Sequence, residues 1–355
     1  MKVALVGIGL IGGSIGLAAR QRLNARVAGF DPVPAAREAA LKAGAVQEAF
    51  GTVEEALDGA EFVFVAAPVA ALPGAVQGAL AAAGPDCVVT DVGSTKRPVV
   101  AAIEDPRFVG GHPLAGAESS GVEFARADLF VDSTWYLTPT AVTRGTVYER
   151  LHRLITRMGA WPSATDPDTH DAVMASVSHL PHVLANVLVA QAARVLSGEG
   201  ERLPPTGPSF RDLTRVAGAN TALWRDIYLA NGDALVRAID DAMQRLGAFR
   251  ALLANGDGDG IASWNDAARE DRRRLLESDL AGGEVHELRV QVPNRPGIVA
   301  EIALALGRAS IDIVDMALYP TSGGSHGAIA LWIRQKDFGQ AEALVGELGL
   351  EAARA

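Results

Sequence analysis

The sequence predicts an α/β protein in three parts: a parallel sheet covered by helices over residues 1–162, an all-helical domain over 163–281 and a small α+β module over 284–355. Three changes of pattern carry this. From Lys2 to about Trp161, short β-branched runs alternate with alanine-rich helical stretches, the order that builds a parallel sheet with helical crossovers. Beyond Asp166 the β signal stops and long helical stretches take over. At Gly282 and Gly283 it returns. A chain of 355 residues also exceeds what one hydrophobic core usually serves.

Taken in order, the candidate strands are Val3 to Val6, Arg26 to Phe30, Phe62 to Ala66, Cys87 to Asp91, Phe108 to Gly110 and Thr134 to Thr138. Helical stretches follow at Pro167 to Leu196, Phe210 to Val216, Thr221 to Leu253 and Ile261 to Leu280. Asp166 can cap the first of these, with Pro167 at the first helical position, where its missing N–H costs nothing. In the last module, Val285 to Val292 reads as a strand, Ile298 to Ala309 as a helix, Ile311 to Leu318 and Ala328 to Ile333 as strands, and Phe338 to Leu348 as a helix. A closing strand is poorly marked: only Glu351-Ala352-Ala353 remains, with little β propensity.

Hydrophobic residues make up 49% of the chain and charged residues 21%, the balance of a globular protein. No uninterrupted apolar run reaches the roughly 18 residues of a membrane span, and Met1 to Val6 leads straight into a strand, so neither a membrane partner nor a secretory signal is expected. Cys87 is the only cysteine. That excludes an intrachain disulfide and a cysteine zinc site, and it suits a reducing, cytoplasmic location. The net charge of −10 has the wrong sign for a nucleic-acid binder. An anionic small molecule would need a local basic pocket.

Gly7, Gly9 and Gly12 form GxGxxG directly after the first strand and at the start of a helix. Glycines so placed allow a tight turn, close approach of the backbone to a pyrophosphate and close helix-to-strand packing, while the helix N-terminus faces the phosphate charge. Alone the motif is weak. Its context is right, because Asp31 ends the second strand where an acid accepts hydrogen bonds from an adenosine ribose and repels a 2′-phosphate. The first domain is therefore expected to be a Rossmann-type domain binding NAD. Leu10 and Ile11 inside the motif, and Ala67 and Pro68 after the third strand, complete the expected cofactor contacts.

Three further segments carry polar residues that fold chemistry explains poorly. Asp91-Val92-Gly93-Ser94-Thr95-Lys96 ends a strand at the edge where cofactor crevices form. Gly110-Gly111-His112-Pro113 reads as a glycine-rich loop that brings a histidine to a ligand and runs on to Glu118. The third lies in the helical domain: Ser178-His179-Leu180-Pro181-His182, then Arg211, Arg215 and Trp224. Ser178 and His182 share a helix face, Pro181 frees the carbonyl of Val177 and predicts a kink, and Arg211 and Arg215 stack as a pair of guanidiniums for a carboxylate. Singly, each histidine could be a core or capping residue and each arginine a salt-bridge partner; together they suggest a site.

In order and spacing across some two hundred residues, these segments resemble the prephenate and arogenate dehydrogenases. The resemblance implies NAD-dependent oxidative decarboxylation of prephenate to 4-hydroxyphenylpyruvate in tyrosine biosynthesis, with arogenate as the alternative substrate. It implies that His112 is the catalytic histidine and that Ser94 lies near the substrate hydroxyl. Arg215 would hold a carboxylate, with Ser178, His179, His182, Trp224 and Arg211 lining the pocket and Glu118 at its entrance. The helical domain would make a homodimer. Another Rossmann-plus-helical hydroxyacid dehydrogenase fits less well, because such enzymes need a lysine in the helical domain and none lies between Lys96 and Lys336. The segment from Val285 to Leu348 resembles an ACT domain, a βαββαβ module. Its turn Asn294-Arg295-Pro296-Gly297 implies an amino-acid effector, tyrosine, held by Asn294, Pro296 and Gly297. Asn255 to Gly260 looks like the front of a calcium loop but has Asp266 where a bidentate glutamate belongs, so no metal is expected.

Overall fold

A computed structural model describes residues 1–116, 120–196, 207–279, 285–320 and 326–354. The first domain is built on strand β1 (Lys2–Val6), whose Val3 and Leu5 face one core while Ala4 and Val6 face another. A strand apolar on both faces must be covered on both, which is why it reads as a continuous hydrophobic run. It leads into α1 (Leu10–Leu23), β2 (Arg26–Phe30), α2 (Pro34–Lys42), β3 (Glu48–Phe50), α3 (Val53–Leu57), β4 (Phe62–Val65), α4 (Leu72–Ala82), β5 (Val88–Asp91), α5 (Arg97–Ala102), β6 (Phe108–Pro113), β7 (Thr134–Thr138), α6 (Gly145–Arg157) and β8 (Trp161–Ala164). The eight strands lie in the order β3-β2-β1-β4-β5-β6-β7-β8. Strand order reverses beside β1, so its C-terminal edge opens the crevice where such sheets bind ligands. The parallel run ends at β6: β7 pairs antiparallel with it, and β8, parallel to β7, shares that reversed direction.

The short β3 and the edge strand β8 were not among the expected strands. The expected glycine loop at residues 110–113 is strand as well, with His112 opposite Tyr136 in the β6–β7 ladder. Its glycines serve packing: a Cβ at Gly110 would sit 2.2 Å from Thr138 Oγ1, and one at Gly111 2.7 Å from the Asp91 carbonyl.

The helical part begins at α7 (Pro167–Met174), capped as expected by Asp166, whose Oδ1 accepts the Thr169 N–H at 2.9 Å. A π-helical turn (Ala175–His179) joins it to α8 (Leu180–Leu196). The kink expected at Pro181 thus takes the form of a widened turn just before it, which absorbs the missing donor. The run Pro167–Arg194 is, by length and composition, apolar enough to cross a membrane, which a search for uninterrupted apolar runs did not reveal. Here it carries buried His170, Asp171, His179 and His182.

Next come α9 (Pro208–Thr214), a 3₁₀ turn (Arg215–Gly218), α10 (Thr221–Ala230), α11 (Gly232–Asn255) and α12 (Gly258–Asp279). The single helix expected from Thr221 to Leu253 is broken at buried Asn231. The calcium-loop look-alike is a turn: Gly256 is left-handed at φ 63°, and Asp257 Oδ1 accepts the Gly260 N–H at 2.8 Å.

The last module comprises β9 (Val285–Pro293), α13 (Ile298–Arg308), β10 (Ile313–Pro320), β11 (His326–Arg334), α14 (Phe338–Glu347) and β12 (Glu351–Arg354), a βαββαβ chain with sheet order β10-β11-β9-β12. The weakly marked closing strand does form, paired along β9 from Glu351 opposite Gln291 to Arg354 opposite Leu288. Ladder pairing at a sheet edge supplies what side-chain propensity lacks. The module is fused to the first domain through one continuous core that runs from Val147, Leu151 and Ile155 to Val299, Ile302 and Leu306. A Cβ at Gly307 would lie 1.7 Å from the Ala164 carbonyl, and buried His152 donates from Nε2 to the Ile313 carbonyl at 2.9 Å.

Candidate active site

The first part of the site is the turn from β1 into α1. Gly7 adopts φ 93° and donates to the Phe30 carbonyl at 2.8 Å, while a Cβ at Gly12 would stand 2.1 Å from the Gly7 carbonyl. A side chain at either position would push the helix off the strand. A Cβ at Gly9 would meet nothing, so open space faces that peptide at the helix N-terminus. Leu10 and Ile11 are partly exposed there, and Ala67 and exposed Pro68 follow β4 across the crevice. Asp31 accepts the Ile8 N–H on Oδ2 (3.0 Å) and the Val33 N–H on Oδ1 (2.9 Å), leaving acceptor capacity on both oxygens for a ribose diol. Arg37 reaches back to the Asp31 carbonyl at 2.5 Å. These residues fit a dinucleotide: glycines where backbone must approach phosphate, and an acid where a ribose lies.

His112 lies at the C-terminal end of β6, on the same edge of the sheet, and is partly exposed. Buried Asp91 and Lys96 hold that strand end. Asp91 accepts the Gly111 N–H (3.1 Å), the Gly93 N–H (2.9 Å) and the Lys96 ammonium, which also donates to the Gly111 carbonyl (2.7 Å). Lys96 is therefore a structural cation, with no exposed surface, and within its stretch Val92 and Ser94 are partly exposed. Breaking such a buried pair from one side costs about 3–5 kcal/mol.

Behind His112 stands a chain the sequence reading missed. His112 Nδ1 is 2.9 Å from His170 Nε2, and His170 Nδ1 is 2.7 Å from Asp171 Oδ1. The Asn231 amide donates to the Asp171 carbonyl (2.7 Å) and lies 3.2 Å from His179 Nδ1. Arg97 ties the same cluster together through Asp171 (3.2 Å), Asn231 (2.8 Å) and Asp233 (2.7 Å). Burial, with the neighbouring His170 and the Lys96 charge, holds the His112 pKa well below the usual histidine range. Burial likewise lowers His179 to about 4. These rings are kept neutral.

His179 contacts the edge of Trp224, and His182 stacks on its face with centroids 3.6 Å apart and planes within 7°. His182 Nδ1 is bonded by the Tyr228 hydroxyl. The structure thus brings His112, His179, His182 and Trp224 into one connected group through His170, Asp171 and Asn231. Ser178 sits half-buried in the π turn, one residue before His179. Arg211 and Arg215 are exposed on the segment that packs against α8. Because α9 gives way to a 3₁₀ turn at Arg215, the two guanidiniums do not share one regular helix face, as had been expected. Glu118 lies outside the described residues. The only signal for the missed residues was the His170-Asp171 pair in the second turn of a helix, a pattern too common to single out.

The chain is similar to known proteins along most of its length. Residues 15–161 match the family described as prephenate dehydrogenase, nucleotide-binding domain, and residues 166–265 match prephenate dehydrogenase, dimerization domain. A prephenate dehydrogenase of Bacillus subtilis is 31% identical over 349 residues, covering 94% of this chain and 92% of its own. A cyclohexadienyl dehydrogenase of Zymomonas mobilis is 33% identical, over 72% of this chain and 90% of its own. Among solved structures, the prephenate dehydrogenase of Aquifex aeolicus with hydroxyphenyl propionate and NAD+ superposes with a TM-score of 0.73 at 29% identity, covering 78% of this chain and 98% of its own.

Proposed function

The chain belongs to the prephenate dehydrogenase family, and from that premise we infer how its own residues carry out the reaction. It is an NAD-dependent oxidoreductase that converts prephenate to 4-hydroxyphenylpyruvate by oxidative decarboxylation. When bound, NAD supplies the two-electron oxidant. The observation that carries the residue assignment is a neutral histidine, His112, at the C-terminal edge of the nucleotide-binding sheet, tied by its Nδ1 to a second buried histidine. A neutral imidazole accepts the C4 hydroxyl proton of the substrate. The C1 carboxylate of the oxidised ring is then vinylogous to the new carbonyl, and its loss as carbon dioxide makes the ring aromatic. Ser94 orients the hydroxyl, Arg215 holds a carboxylate with Arg211 in support, and His179, His182, Ser178 and Trp224 wall the ring. Gly7, Gly9, Leu10, Ile11, Gly12, Asp31, Ala67 and Pro68 hold the cofactor. Steady-state kinetics with prephenate and arogenate, each paired with NAD and NADP, tests the reading. Prephenate with NAD is expected to give the highest kcat/KM; equal or better turnover with NADP, or with arogenate, contradicts it.

The last module, residues 284–355, is proposed as an ACT-type regulatory unit that binds tyrosine. Supporting this, a cavity of about 330 Å³ lies between it and the first domain, lined by Arg144, Asn294, Pro296, Leu318, Tyr319 and His326. Arg144 Nε is buried with no hydrogen-bond partner and can take a carboxylate. Gly297, left-handed at φ 83°, opens α13 beside it. Tyrosine is expected to inhibit the full-length enzyme, and Arg144→Ala to weaken that inhibition by at least about tenfold. Indifference of the wild type to millimolar tyrosine contradicts the assignment.

A further inference from the structure

We infer that Asp171 and His170 form a positioning pair that fixes the tautomer of His112, placing the proton on Nδ1 and leaving the Nε2 lone pair for the substrate hydroxyl. This rests on the reading of His112 as the base. Asp171 is fully buried and already committed as an acceptor: Oδ1 takes the Lys96 N–H (2.7 Å), and Oδ2 takes the Arg97 N–H (3.0 Å) and its Nε–H (3.2 Å). A carboxylate held this way only accepts, so His170 Nδ1, 2.7 Å from Oδ1, donates. Neutral His170 then keeps its lone pair on Nε2, which faces His112 Nδ1 at 2.9 Å. Two lone pairs do not face each other at that distance. His112 must therefore carry its proton on Nδ1.

The opposite arrangement needs a second proton on His170, a residue with no exposed surface. Burial holds its pKa below the ordinary value against the pull of Asp171. The other titratable groups around the pair are Lys96 and Asp91 beside the strand end, Tyr136 on β7 and His179 in the π turn. Both members are immobilised: Asp171 caps the start of α5, and α7 itself is pinned by Asp166. As the substrate O–H bond breaks and the Nε2–H bond forms, the charge on His112 is shared through the Nδ1–H bond to His170, and no other proton leaves. Sequence alone hides this, because 58 residues separate the two rings.

The test is ¹⁵N NMR of histidine-labelled full-length protein, with the His112 signals identified by their loss in His112→Asn, combined with steady-state kinetics. Wild type above neutral pH is expected to show protonated Nδ1 and bare Nε2 at His112. His170→Phe keeps the volume but removes the acceptor; it should shift His112 toward the Nε2–H form and lower kcat by about 10- to 100-fold with KM nearly unchanged. His170→Gln, whose amide oxygen can accept the same N–H, should recover most of that loss. Wild-type His112 protonated on Nε2 overturns the inference, as does a His170→Phe enzyme with unchanged tautomer and kcat. If His112→Asn itself keeps its kcat, the base reading fails and takes this inference with it.

Discussion

As the proposed base, His112 has to be unprotonated to act, and its surroundings decide over what pH range it is. Burial first, then His170, Lys96 and His179, disfavour the imidazolium. The folded pKa therefore falls below 6.5, and activity that needs the neutral ring persists until pH drops through that lowered value. The ascending limb of kcat/KM against pH is expected on the acid side of 6.5, further from neutrality than an unperturbed histidine would put it. A limb at or above 7 attributable to His112 would show that the ring is not desolvated as described. At this scale the sequence was legible where chemistry is carried by rare residue types in marked settings, such as His112 beside paired glycines and Asp31 after a strand. It was illegible for His170, Asp171 and Asn231. Each is an ordinary helical or linking residue whose meaning comes only from what the fold sets opposite it.

Strand β6 shows how an element positions a residue. The strand expected from Phe108 ended at Gly110 and a glycine-rich loop was expected to follow, but the glycines let β6 lie against Thr138 and the Asp91 carbonyl. Gly111→Ala drives a methyl to 2.7 Å from that carbonyl, a backbone atom that cannot easily yield. Overpacking of this kind costs about 1–3 kcal/mol, and the same shift moves His112, the next residue. The variant should unfold at lower temperature and lose kcat together; thermal denaturation and kinetics unchanged from wild type would mean the strand has slack it does not show. Helix boundaries were similarly half-legible. The apolar period ran through Asn231, so one helix was expected where two meet, because periodicity records faces and not the hydrogen-bonding need of a single buried amide.

At the scale of the whole molecule, one interface is filled by the chain itself. The last module shares a core with the first domain, so its docking was not legible in a sequence that shows only a linker-like Gly282-Gly283. On α11, by contrast, Val236, Met243, Leu246 and Leu253 are all exposed, spaced by seven, three and seven residues as in a helical packing seam. Residues 166–265 match a dimerization domain, and we propose that a second copy of this chain covers this seam. Met243→Glu with Leu246→Glu places two charges in it, and sedimentation velocity should show the dimer shifted to monomer at micromolar concentration. A dimer unaffected by both charges would put the interface elsewhere.

The proposed presentation of a neutral His112 to the substrate hydroxyl is checked by the kcat of His112→Asn with saturating prephenate and NAD. Asparagine keeps much of the size and a hydrogen-bonding group but no base. The kcat is expected to fall by roughly 10²- to 10⁴-fold with KM little changed. A variant turning over within a few-fold of wild type would contradict it and move the search for the base to His179 or His182.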